Sequence, residues 1–200
     1  MSRIGILAYG SLISEPGSEI SKYISDEVRT MTPFPVEYVR ISKTRGDAPT
    51  VAPHSSGKPV RATLLVLQDG IVPEDAKSLL WRRETRNEGL DREYRMSSSP
   101  YAIVVSDLPG FCGLDHVLYT DFNESGKLSH PNPGELARAA IDSVAKSPDS
   151  KDGISYLMDL INIGVETELT PAYQKEILAL TGTPNLVEAL ALVRKRGKED

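Results

Sequence analysis

Short apolar runs and one strongly helical final third divide the pattern of hydrophobic positions along this chain. Ile4–Ala8 (IGILA) is nearly continuous in apolar residues and is followed by Tyr9-Gly10-Ser11, which predicts a buried strand ending in a turn. Residues 12–31 carry weak helical signals interrupted by Pro16 and Gly17. Val36–Ser42 (VEYVRIS) alternates apolar and polar positions, the pattern of a half-buried strand, and a short strand over Thr50–Ala52 follows Pro49. Val60–Leu67 (VRATLLVL) is the clearest strand, stopped by Asp69-Gly70. Tyr101–Val105 and His116–Thr120 predict two more strands.

A helix is expected from Pro73. Proline suits the first helical turn, where its missing N–H costs nothing, and Glu74 and Asp75 suit the positive end of the helix dipole. The pattern continues through Leu79, Leu80, Arg83 and Asn87, with Gly89 as the expected stop. Beyond Pro133 the periodicity predicts helices near 134–146, 153–166, 171–181 and 185–196. Strands, one helix, more strands and a helical tail make an α+β arrangement.

Length agrees with one domain: 200 residues against roughly 150 per domain. The expected division is a core over about 1–122 and a helical C-terminal part over about 133–200. The formal net charge of −5 argues against a duplex-binding protein, which needs a basic face to neutralise phosphates. Arg194-Lys195-Arg196, beside Lys198, Glu199 and Asp200, reads as a solvated tail. The first apolar run is too short for a signal segment or a membrane span, so a soluble, cytoplasmic protein is expected, with no membrane or nucleic-acid partner. The single cysteine, Cys112, cannot form an internal disulfide, and its setting between Phe111 and Gly113 suggests a small buried residue.

His54, His116 and His130 lack metal-ligand spacing, and the chain contains no HExxH, CxxC pair or EF-hand loop. It also lacks the GxGxxG and GxxxxGK[ST] nucleotide loops and the GxSxG elbow. No metal and no cofactor are therefore expected.

Two features carry chemistry. At Tyr9-Gly10-Ser11-Leu12, a glycine after a strand can let backbone N–H groups converge as an anion-binding nest, or it can simply make a tight turn. In Trp81-Arg82-Arg83-Glu84, helical spacing puts Ala76, Leu80 and Glu84 on one core-facing line with Leu79 and Arg83 beside it, while Arg82 and Arg86 point elsewhere. Glu84 is then either an inward carboxylate suited to moving protons or part of a surface charge network with Arg83 or the Glu88 region.

Together these segments resemble the gamma-glutamylcyclotransferase superfamily, most closely its ChaC-like branch. Ala8-Tyr9-Gly10-Ser11-Leu12-Ile13 is similar to that family's strand-end YGSL signature. Ser42-Lys43-Thr44-Arg45-Gly46 is similar to a second segment, Leu80–Glu84 to the helix with an Arg-Glu pair, and Gly153–Leu157 to the start of a C-terminal helix. The resemblance implies a small mixed β-barrel flanked by helices, and conversion of a gamma-glutamyl amide to 5-oxoproline and a free amine. It also implies Glu84 as the catalytic glutamate, with Tyr9, Gly10, Ser11 and Leu12 binding the glutamyl group and Tyr119 a more loosely matched substrate contact. The partner would be a small gamma-glutamyl compound: glutathione, a gamma-glutamyl amino acid or a gamma-glutamyl amine. Two other readings stay open, a non-catalytic module sensing such an acidic metabolite, and a related lyase or transferase acting on a gamma-glutamyl-tagged intermediate or protein. Neither the oligomeric state nor the leaving-group contacts can be read from the chain.

Overall fold

The computed structural model describes residues 2–147 and 151–197, so Lys198, Glu199 and Asp200 lie outside the described residues. It divides the chain into two compact units, Met1–Pro33 with Arg61–Gly126, and Phe34–Val60 with Lys127–Asp200. The architecture is α+β.

The first unit holds a five-stranded sheet. Its strands are β1 (Ile4–Ala8), β2 (Ile24–Met31), β5 (Arg61–Leu67), β6 (Ile103–Asp107) and β7 (His116–Phe122), in the order β2-β5-β1-β7-β6. The central strand β1 runs antiparallel to β5 and parallel to β7. Strand β2 pairs on one side only, as does β6, so the sheet is open. The barrel implied by the resemblance is not closed among the described residues.

Helix α2 (Pro73–Thr85) lies on one face of this sheet. Its Ala76, Leu79 and Leu80 pack with Ile4, Ile6 and Ala8 of β1, Leu65 and Leu67 of β5, Val105 of β6 and Leu118 of β7. Each such leucine or isoleucine taken fully from water contributes about 1.5–3 kcal/mol, which fixes the helix face and whatever continues along it. A short helix, α1 (Ser18–Ser21), follows the β1 turn.

Strand β2 falls where the sequence pattern suggested weak helix. It is an edge strand with Ser25–Arg29 all exposed, so no alternation of burial marks it in the sequence. Helix α2 ends earlier than Gly89: Arg86 is the cap, in the left-handed region at φ 57°. Gly89 (φ 80°) belongs to the turn beyond. The strand expected over Tyr101–Val105 begins two residues later, and the one from His116 extends to Phe122.

In the second unit, β3 (Val36–Ser42) and β4 (Ala48–Pro53) form an antiparallel hairpin. Helices α3 (Pro133–Lys146), α4 (Gly153–Asn162), α5 (Thr170–Thr181) and α6 (Leu186–Arg196) complete it. Val36, Glu37, Tyr38 and Val39 are all buried, so β3 is covered on both faces rather than half-buried. Glu37 is tolerated inside because its carboxylate accepts from the Tyr38 and Leu169 backbone N–H groups. Helix α4 stops at Asn162, short of the expected 166. At its start, a Cβ on Gly153 would meet Ala140 Cα at 2.8 Å, so glycine permits the close approach of α4 to α3. Among the described residues, no single helix is long and apolar enough to cross a membrane.

Candidate active site

The first unit brings the turn after β1 against the C-terminal end of α2. Glu84 continues the Ala76–Leu80 line, so the packing of α2 on the sheet decides where its carboxylate sits. Its side chain retains 17% of its exposure and that of Arg83 13%. Arg83 Nη1 donates to Glu84 Oε1 at 2.8 Å. The same guanidinium donates to the Glu15 carbonyl from Nε at 3.0 Å and from Nη2 at 2.6 Å, and Nη2 lies 3.4 Å from Ser11 Oγ. Both readings of Glu84 thus meet in one geometry: the carboxylate is drawn inward and it is paired with Arg83. The pair is part-buried, and the guanidinium fastens Glu84 to the 11–15 turn.

That turn is not a nest. Among the described residues Gly10 is not one of those with positive φ, so it lacks the left-handed residue a nest alternates with. Ile13 N–H donates to Gly10 O (3.0 Å) and Glu15 N–H to Ser11 O (2.9 Å), making a single helical turn. The first N–H groups of such a turn have no carbonyl behind them. Those of Ser11 and Leu12 accordingly make no hydrogen bond among the described residues. Donors are present at the YGSL segment for a different reason from the one its glycine suggested.

Tyr9 is buried and its hydroxyl donates to the Thr120 carbonyl, tying the end of β1 to β7. Tyr119 follows Leu118 on β7. Its neighbour Leu118 belongs to the core beneath α2, and alternation along β7 turns Tyr119 to the opposite sheet face. The structure therefore links Glu84 to Ser11 through Arg83, places Leu12 in the core beside α2, and sets Tyr119 on the sheet face opposite Leu118.

A second set of contacts holds the same segment. Arg82 Nε donates to Glu19 Oε2 at 2.7 Å, and the Gly89 N–H donates to Glu19 Oε1 at 2.7 Å. Glu88 accepts from the Glu19 N–H at 3.1 Å. Gly17 (φ 90°) is packed so closely that a Cβ would meet Glu88 Oε1 at 2.6 Å. Arg82 and Arg83 also sit in the last turn of α2, where cations are favoured by the helix dipole. Glu19 and Glu88 carry no sequence signal for this clamp, since their partners lie far along the chain.

The segment Ser42–Gly46 lies in the second unit, as a 3-10 turn over Lys43–Arg45 closed by Gly46. Cys112 is exposed rather than buried, at φ 52° in the tip between β6 and β7, where Gly110 and Gly113 turn the chain outward. His116 Nδ1 lies 2.6 Å from Asp107 Oδ2 across that strand pair. Among the described residues, no group of three or more His, Cys, Asp or Glu side chains is placed to hold a metal ion.

No family model matches the chain, and no curated protein sequence matches it. Among solved structures, the crystal structure of a yeast gamma-glutamyl cyclotransferase specific to glutathione is similar to it, at 13% identity and a TM-score of 0.41. That likeness covers 99% of this chain and 99% of the other. At this level of similarity, the chemistry of the site has to be argued from its own residues.

Proposed function

We propose that the protein is a gamma-glutamylcyclotransferase-type enzyme of the ChaC-like kind, acting in the cytoplasm on a small gamma-glutamyl amide. The observation that carries this reading is that one guanidinium, that of Arg83, ties Glu84 to the Ser11–Glu15 turn, whose first N–H groups, those of Ser11 and Leu12, are unbonded among the described residues.

The reaction needs two things from a protein. The substrate's α-amine must lose a proton before its nitrogen attacks the γ-carbonyl carbon, and the departing amine must gain one. A single carboxylate does both in turn. Glu84 Oε1 is held by Arg83, while Oε2 has no partner among the described residues and is the atom that takes and returns the proton. The carbonyl oxygen gains negative charge as the new C–N bond forms, and preorganised N–H donors stabilise it. The Ser11 and Leu12 groups supply these. As the tetrahedral centre collapses, Glu84 passes the first proton to the departing nitrogen, the amide C–N bond breaks, and the freed carboxylate takes the second proton from the ring nitrogen, so that 5-oxoproline and a free amine leave.

Incubation with glutathione, gamma-glutamyl amino acids and gamma-glutamyl amines in the presence of chelator tests this reading. At least one compound should give 5-oxoproline and its amine in equal amounts. Failure of the whole panel to release 5-oxoproline from folded protein would overturn it.

A further inference from the structure

We infer that strand β2 is a self-association edge, through which two copies of this chain pair antiparallel into one continuous sheet. The inference is independent of the catalytic reading.

Edge strands in native sheets are usually short, bulged or covered, because their free N–H and C=O groups template further pairing. β2 is eight residues long and closes one side of its sheet. Its single irregularity lies between Ile24 and Asp26, so Asp26–Met31 stays in regular register with β5. Ser25–Arg29 are exposed, and Val28 and Met31 keep 40% and 52% of their surface in water.

The backbone direction at each position follows from its hydrogen bonds. The Gln68 N–H donates to the Tyr23 carbonyl and Ser25 Oγ to the Val66 carbonyl, so the even-numbered residues of β5 face β2. Their partners Asp26, Val28 and Thr30 therefore spend their backbone groups on β5. Glu27, Arg29 and Met31 turn theirs outward, and the Glu27 N–H is met only by its neighbour Asp26 Oδ1 at 2.8 Å.

A second copy must place outward residues opposite outward residues, which leaves few two-fold registers. Centring on Glu27 sets two carboxylates face to face, and centring on Arg29 sets two guanidiniums face to face. Like charges directly opposite are destabilising. Centring on Val28 sets Glu27 opposite Arg29 of the second copy twice, Val28 opposite Val28, and Asp26 opposite Thr30. Centring on Thr30 runs Glu27 against Pro33, which has no N–H to give, so among registers that pair the full strand the charges select the one centred on Val28. The Glu27 N–H exchanges Asp26 for the Arg29 carbonyl of the second copy, and the Arg29 N–H gains the Glu27 carbonyl.

Sedimentation velocity across a concentration series tests this, with circular dichroism to confirm folding. Wild type should form a concentration-dependent dimer. Glu27→Arg and Arg29→Glu should each weaken it about tenfold or more, since each replaces two attractive pairs by two repulsive ones. Mixing the two single variants should restore dimer, because opposite charges then face each other at both pairs, and the double exchange in one chain should do the same. A wild type that stays monomeric up to its solubility limit would overturn the inference. So would a dimer indifferent to the exchanges, or single variants whose mixture fails to pair.

Discussion

Glu84 and Ser11 share the guanidinium of Arg83, which donates to the carboxylate at 2.8 Å and lies 3.4 Å from the hydroxyl. The proposed proton carrier and the turn that bears the proposed oxyanion donors are thus tied together by one side chain, itself anchored twice to the Glu15 carbonyl. Two consequences of this bridge can be measured, and two more predictions concern the neighbouring clamp and helix cap.

Glu84→Gln should keep the fold and lose most turnover. Glutamine still accepts from Arg83 Nη1 but cannot carry a proton, and general acid–base catalysis is worth about 10²–10⁴-fold. The check is the rate of 5-oxoproline release beside an unchanged melting temperature. A variant as active as wild type would remove Glu84 from the mechanism.

Arg83→Lys should cost both stability and activity. An ammonium is a point charge without a planar fork, so it cannot hold Glu84 and the Glu15 carbonyl together. Leaving the part-buried Glu84 carboxylate without its partner costs about 1–3 kcal/mol, whereas the exposed Glu15 carbonyl can turn to water. Denaturant unfolding should show that loss, and turnover should fall with it. Wild-type stability together with wild-type turnover would show that the bridge positions nothing.

Acid should weaken the clamp on α1. Burial alone would raise the Glu19 carboxyl, but the Gly89 N–H and the Arg82 guanidinium outweigh it and hold it below its ordinary value of 4.5. A carboxyl lowered in the folded state adds stability above its unfolded pKa, and that contribution disappears as pH falls through the lower folded value. Glu19→Gln should therefore flatten the acid limb of the stability–pH curve at and below the ordinary carboxylate range. Parallel acid limbs for variant and wild type would contradict this.

Arg86→Gly should raise stability by about 0.5–1 kcal/mol, because Arg86 caps α2 at φ 57°, where a Cβ is strained and glycine is not. Thermal unfolding reads the change directly. Destabilisation would mean that the contacts of the Arg86 side chain outweigh the backbone strain.

The elements buried on one or both faces were legible in the sequence, since burial imposes periodicity. β1, β5, the start of α2 and all four C-terminal helices fall close to where their patterns place them. Glu84 was legible for the same reason: four residues beyond Leu80, it inherits the direction of a packed helix face. Strand β2 was not, because an exposed edge requires no alternation and its pairing with β5 is a choice made by the sheet. The closing of α2 at Arg86 was not either, since a left-handed arginine is held by its surroundings rather than favoured locally.

The site divides along the same line. The residue types and their order, YGSL after a strand and Arg-Glu on a helix, stand in the sequence by themselves. That Arg83 reaches across to Glu15 and Ser11, and that Tyr9 gives its hydroxyl to Thr120, were decided only by tertiary packing. Periodicity determines which way a side chain leaves its own element. What it meets there depends on segments brought together from far along the chain, and no local pattern encodes that meeting.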